Sequence, residues 1–149
     1  MSHASRFYRY PLKVSLLMQP LGAAAHPTGD LGTSVKQLLH LLLHTRLGQL
    51  RSAPDFGCAV WELEFDHAVN RLQWESTLTD SLVAAVQRYE PRLHAPSVEV
   101  ELTAPAAQGG SPAPVMARWR ARIRIRGILG STQEAFAYAT ELHIGPLAT

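Results

Sequence analysis

Three groups of residues have types and spacings that could do chemistry. Trp61-Glu62-Leu63-Glu64-Phe65-Asp66 alternates large apolar residues with acids. Read as extended, it sets Trp61, Leu63 and Phe65 on one side and the carboxylates on the other. A pair such as Glu62 and Glu64 invites comparison with a glycosidase, where one acid protonates the leaving group and the other is base or nucleophile. That chemistry needs surroundings that push the two pKa values apart, usually by burying one acid. Adjacent acids on one polar face are expected to be hydrated instead. His40 and His44, four apart, could grip a metal from one helix face, but no third ligand stands at a useful spacing. A solvated polar stripe is the expected role. Cys58 is the single cysteine and is expected to be a small loop or core residue. No catalytic residue, metal site, cofactor or small-molecule substrate is expected.

The third group is cationic. Arg118, Arg120, Arg122, Arg124 and Arg126 recur at period two, with Trp119, Ile123 and Ile125 on the other side of the same strand. Arginine pairs in two-pronged fashion with carboxylate or phosphate, so a protein or a nucleic acid could be its target. Nucleic-acid sheets usually add exposed aromatics for stacking, whereas Trp119 falls on the opposite, core-facing side. Glu99, Glu101 or Glu141 could neutralise part of the stripe across the sheet, at about 0.2–1 kcal/mol a pair, but these acids are too few for five arginines. An acidic protein partner is therefore preferred over plain solvation or nucleic acid.

The elements that must position these groups follow from periodicity. Val35, Leu38, Leu39, Leu42 and Leu43 give one apolar face to a helix over Ser34–Thr45, with Ser34 and Gln37 spaced as a capping box and Gly48 as its stop. Leu78, Leu82, Ala85, Val86 and Tyr89 stripe a second helix over Asn70–Tyr89, with Glu75, Thr79, Asp80, Gln87 and Arg88 towards water. Pro91 has no amide hydrogen and disfavours a helical Glu90, so this helix ends near Tyr89. Glu90 and Arg92 are then held on either side of a rigid corner, where an acid and a base could grip a partner. Between the helices, Arg46 to Gly57 is a loop whose glycines suggest positive φ and whose Phe56 suggests an anchor. It is either a docking surface carrying Arg46 and Asp55 or a connector serving its own backbone.

After the corner, Val98, Val100 and Leu102 alternate as a half-buried strand. Thr103 to Pro114 reads as a flexible connection, Val115 to Gly127 as the arginine strand, Gly130-Ser131 as a turn, and Phe136 to Ile144 as a last strand closed by Gly145-Pro146. Phe7 to Met18 could be a strand or an arm, and Gln19 to Gly32 reads as a loop. The expected class is α+β: two main helices packed on a small, mainly antiparallel C-terminal sheet. At 149 residues one domain is expected, with 1–32 as an arm or loop. A net charge of +2 is too small to imply nucleic acid or membrane. No apolar run reaches spanning length, Met1 to Arg9 lacks the apolar core of a secretion signal, and one cysteine suits a reducing compartment, so the cytoplasm is expected.

From about Val35 to Leu93 the motifs stand in a telling order: Leu42-Leu43-His44-Thr45-Arg46-Leu47-Gly48-Gln49, then Pro54-Asp55-Phe56-Gly57, then an amphipathic helix ending in Glu90-Pro91-Arg92. This resembles the gene-25-like or TssE-like baseplate wedge proteins of contractile-tailed phages and type VI secretion. The resemblance implies a structural role in the inner ring of a baseplate, with the larger wedge proteins and the sheath protein as partners. It implies that Glu90, Pro91 and Arg92 help hold helices from the wedge partners. It also implies that the sheath continues by strand exchange, with Val115–Arg126 and Glu134–Ile144 as candidates. A lysozyme label attached to the family has no residues here to support it. The chain departs from the family picture in its long Thr103–Pro114 connection and its unmatched N-terminal forty residues.

Overall fold

The computed structural model describes residues 6–9, 11–18, 28–62, 71–104 and 119–144. An N-terminal arm contributes β1 (Phe7–Tyr8) and the short helix α1 (Val14–Leu17), and β1 pairs antiparallel with β2 (Thr28–Gly29). Then come α2 (Leu31–His44), a 3-10 turn (Ala59–Glu62), α3 (Arg71–Tyr89) and the strands β3 (Leu93–Thr103), β4 (Trp119–Leu129) and β5 (Ala135–Ile144). The three long strands form an antiparallel sheet in the order β3-β4-β5. The fold is α+β, as the periodicity predicts.

One apolar cluster joins the layers. From α2 it takes Leu31, Val35, Leu39, Leu42 and Leu43; from α3, Leu78, Leu82 and Val86; from the sheet, residues such as Val98, Ile123, Ile125, Phe136 and Leu142. Neither helix has a second apolar face, so each is held by this cluster rather than by its own propensity. Helix α3 runs against β3, and α2 touches β5 where His40 Nδ1 lies 3.3 Å from the Tyr138 hydroxyl.

Helix α2 begins earlier than Ser34. Asp30 is its N-cap, its Oδ1 accepting from the Thr33 amide at 2.7 Å, and hydrogen bonding from the Thr33 side chain, with that amide second, holds the Asp30 carboxyl below the usual range. The helix also ends before Gly48. His44 Nδ1 donates to the His40 carbonyl (2.8 Å), Thr45 Oγ1 to the Leu41 carbonyl (2.6 Å) and Trp61 Nε1 to the Leu43 carbonyl (2.8 Å). With its last carbonyls met by side chains, the chain turns extended at Thr45 (φ −98°, ψ 135°). Trp61 and Glu62 therefore sit in a 3-10 turn, not a strand, because the indole must fold back to reach Leu43. Leu63 to Asp66, Glu64 included, lie outside the described residues, as do Asn70, Arg118, Gly145-Pro146 and nearly all of the Thr103–Pro114 connection. The loop reading of Gln19 to Gly32 fails at its end, where β2 and the first turn of α2 are formed.

Sheet alternation is clean. On β4, Ala121, Ile123 and Ile125 are buried while Arg120, Arg122, Arg124 and Arg126 are exposed. Strand β3 starts at Leu93, directly after the corner, and carries a bulge: Ala95 and Pro96 have no counterparts between the pairs His94↔Ile128 and Ser97↔Arg126, where only Gly127 intervenes. A Cβ on Gly127 would lie 2.8 Å from the Leu93 side chain, so the bulge requires glycine there.

A candidate docking corner at the end of helix α3

Four elements converge on the turn after α3. The helix hydrogen bonds run to the Glu90 amide (2.8 Å to the Val86 carbonyl), and Leu93 N–H closes the turn on the Glu90 carbonyl at 3.1 Å. Pro91 is exposed at the apex. Glu90 is completely buried, and Arg92 forks it: Nε donates to Oε1 at 2.7 Å and Nη2 to Oε2 at 2.6 Å. The third arm of the guanidinium, Nη1, donates to Ser34 Oγ on α2 at 2.9 Å. The guanidinium lies over the Phe7 ring of the arm, 5.3 Å from its centroid. The β4–β5 turn ties in through Gly130 N–H to the Arg92 carbonyl at 2.8 Å.

This corrects one expectation. The corner does not display an acid and a base side by side; it buries the acid and uses it to orient the base, whose side chain stays 35% exposed. Low-dielectric burial makes an unpaired carboxylate costly, so a charge at this position folds only with its partner in place. Ser34 is likewise not a helix cap: its hydroxyl serves Arg92.

The neighbouring loop is pinned by its own turns. Gly48 N–H donates to the Pro54 carbonyl (2.7 Å), Phe56 N–H to the Ala53 carbonyl (2.9 Å), and Gln49 Oε1 accepts from the Arg46 amide (2.9 Å). Gly48 (φ 76°) and Gly57 (φ 145°) have the positive φ expected of them. Phe56 is buried and meets the Tyr89 ring edge-on at 5.0 Å. Asp55 bridges the loop to the last turn of α3, accepting a very short hydrogen bond from the Tyr89 hydroxyl and an ion pair from Arg88 at 2.7 Å. Arg46 is exposed. The Tyr89 bond holds the Asp55 carboxyl below, and chiefly through Asp55 the Tyr89 phenol above, their usual values.

These two shifts fix a pH window. A carboxylate with a lowered folded pKa adds stability that is present above about pH 4 and lost as pH falls through the folded value. A phenol with a raised folded pKa adds stability that is complete below about pH 10 and lost as pH rises through its folded value. The loop is thus expected to loosen at both extremes. Amide exchange of 46–57 against pH should show it, and Asp55→Asn should let Tyr89 ionise at lower pH; an unchanged tyrosine absorbance titration would discount the tether.

The remaining candidates are dispersed. Each described arginine of β4 meets a carboxylate within 4 Å: Arg120 and Arg122 reach Glu141, Arg122 also Glu101, and Arg124 and Arg126 both Glu99. The acids are closer to sufficient than the sequence suggests, because both flanking strands contribute. Such exposed pairs add about 0–1 kcal/mol each. The His40 and His44 rings stack at 4.0 Å, and among the described residues no cluster of three potential ligands could hold a metal. Cys58 is buried, and burial pushes its thiol up to about 11, the opposite of an activated nucleophile. Glu62 is exposed. Glu75, read as solvent-facing, instead turns inward and accepts from the Leu102 amide at 2.8 Å. No local pattern announces that contact.

Two helices over a three-stranded antiparallel sheet, with the charges at their junction spent on one another, define a small α+β module. The chain belongs to the baseplate wedge protein gp25 family, whose profile matches residues 30–134 and whose members are structural baseplate components. Among solved structures it is similar to a Geobacter sulfurreducens protein described provisionally as a tail lysozyme (TM-score 0.56, 21% identity, 83% of this chain and 100% of that one). It is also similar to a chain of the baseplate complex from the type VI secretion system (TM-score 0.50, 17% identity, 76% of this chain and 93% of that one). At these identities the likeness concerns the fold. No curated protein matches the sequence.

Proposed function

We propose that the protein is a structural baseplate component of a contractile injection machine, of the type VI secretion or phage-tail kind, that binds the larger wedge proteins and templates the sheath. The whole chain is read as one wedge domain working in the cytoplasm, with 1–32 as its arm; among the described residues no helix is long and apolar enough to cross a membrane. The observation that carries the reading is the Glu90–Arg92 fork. It fixes a guanidinium by two carboxylate oxygens, a serine and an aromatic ring while leaving a third of that side chain at the surface beside Pro91. A preorganised cation of this kind loses little entropy on gripping a partner. Arg46 and Asp55 on the adjacent loop extend the same surface.

A glycosidase reading is weaker on the same geometry. That reading falls to Glu62 and Glu64, and Glu62 stands exposed at the end of a 3-10 turn rather than in the buried setting that sets such a pair of acids apart. The test is co-purification. Arg92→Lys keeps a charge but cannot reproduce the fork, and it should reduce recovery of co-expressed larger wedge proteins about tenfold while circular dichroism stays that of the wild type. Normal recovery with this variant would remove the corner from the interface.

A further inference from the structure

Helix α2 carries two histidines that neither the corner nor the core uses. His40 and His44 stand one turn apart on its exposed side, their ring centroids 4.0 Å apart and the rings inclined at 33°. For want of a third ligand the pair reads, in sequence, as a solvated stripe. The structure adds what spacing alone does not show: each ring is held by its Nδ1. His44 Nδ1 lies 2.8 Å from the His40 carbonyl. A carbonyl only accepts, so the neutral ring keeps its proton on Nδ1 and its lone pair on Nε2. His40 Nδ1 lies 3.3 Å from the Tyr138 hydroxyl on β5. With Nδ1 donating to that oxygen, His40 Nε2 is likewise left with its lone pair.

Imidazole ligands need this arrangement. A histidine that binds a metal through Nε2 ordinarily gives its other ring proton to a carbonyl or another acceptor, which fixes tautomer and orientation. Two histidines four apart on one helix face can span a single ion. Ligand nitrogens at about 2.0 Å from a tetrahedral ion stand about 3.3 Å from each other, so rings already 4.0 Å apart between centroids reach it by small side-chain rotations. Lys36 is the unfavourable charge. It sits one turn before His40 and lines the same groove, with Leu12, Leu41 and Tyr138; its long stem lets the exposed ammonium stay in water. The residue after the first histidine decides what such an ion can do. In zinc hydrolases built on His-Glu-x-x-His it is the glutamate that activates water. Here it is Leu41, 48% exposed, so the pair can hold an ion but supplies no base.

We propose that His40 and His44 form a zinc-class metal site on α2, binding one divalent ion through both Nε2 atoms with water at the remaining positions, and that Tyr138 is the positioning residue for His40. The ion is structural. It ties the last turn of α2 to β5 through the His40–Tyr138 contact, and it is independent of the assembly reading above.

The test uses the full chain without added histidines, Zn²⁺ alone as the probe, and ring-nitrogen spectra of its seven histidines. Nε2 of His40 and Nε2 of His44 should move together on one binding curve, while His143, 3.6 Å from Glu141 on the sheet, stays unmoved. Affinity should fall about tenfold or more in His40→Ala and in His44→Ala, whose exposed positions leave the fold intact. It should also fall about tenfold in Tyr138→Phe, which keeps both ligands and loses the hydroxyl that orients one; without metal, that variant should show His40 losing its preference for the Nδ1 proton. Cu²⁺ should bind more tightly than Zn²⁺, and Mg²⁺ should not bind. Wild-type affinity in either histidine variant would overturn the chelate. Movement of Nδ1 in place of Nε2 would overturn the tautomers it rests on, and wild-type affinity in Tyr138→Phe would overturn the positioning role. No movement of either ring at millimolar Zn²⁺ would overturn the site itself.

Discussion

Arg92→Ala is expected to cost about 3–5 kcal/mol of unfolding free energy, among the largest single effects in the chain, because it leaves a buried carboxylate with no counter-charge. Glu90 has no exposed surface, and Arg92 supplies the donors to both its oxygens apart from the weak 3.3 Å contact of the Arg92 amide itself. Water entering the space vacated by the arginine would place the cost at the lower end of that range. Glu90→Ala should cost less, about 2 kcal/mol, since the stranded guanidinium is already one-third exposed and can swing into solvent. The double variant Glu90→Leu/Arg92→Met removes both charges at similar volume and should come within about 1 kcal/mol of wild type. Urea unfolding of the four proteins measures the cycle. A loss below 1 kcal/mol for Arg92→Ala would mean that the fork does not hold α3, α2 and the arm together. The stable double variant is also the sharper tool for function: a folded corner without its cation should fail to recruit wedge partners if the proposed role is right.

The corner shows where reading residues in order succeeds and where it stops. Pro91 announces the end of α3 because its effect is local: one missing amide and one restricted neighbour. The two helices and the arginine alternation are legible for the same reason, since a period of 3.6 or 2 is written in consecutive residues. The burial of Glu90 is not legible. It depends on Ser34 arriving from α2, 58 positions earlier, and on Phe7 from the arm, and nothing near Glu90 distinguishes it from a hydrated acid. The misassigned cap has the same root. Asp30 and Ser34 are both good caps by type, and only the tertiary use of the Ser34 hydroxyl decides between them. Trp61 follows Leu43 by 18 positions, and an alternating pattern gave no hint that its indole would stop a helix. The Arg46–Gly57 loop was half legible: the glycines and Phe56 act as their types suggest, while Asp55 proves to be a brace to Tyr89 and Arg88.

Gly57→Ala tests that loop most severely. Its φ of 145° is one that side-chain-bearing residues rarely adopt, and a Cβ there would lie 2.8 Å from the Thr45 carbonyl oxygen and from the Arg46 carbonyl carbon. These are backbone atoms, so no rotamer change relieves the clash. The chain must part where the Cys58 amide donates to that same Thr45 oxygen at 2.9 Å, and Phe56, Cys58 and Val60 leave the core with it. The expected loss is about 3 kcal/mol. Gly48→Ala is the control, because φ is also positive (76°) but nothing lies within 4 Å of the new methyl; its cost should be about 1 kcal/mol. Cys58 provides a second readout. Its thiol, buried and held near 11, should resist alkylation at pH 8 in wild type and in Gly48→Ala, and react readily in Gly57→Ala. Equal unfolding energies and equal labelling for the two variants would show that the close approach at Gly57 is not what anchors the loop. A larger loss confined to Gly57→Ala would place the Pro54-Asp55-Phe56-Gly57 motif with the core first and with docking second, since Asp55 can brace Arg88 and Tyr89 only while Phe56 is seated.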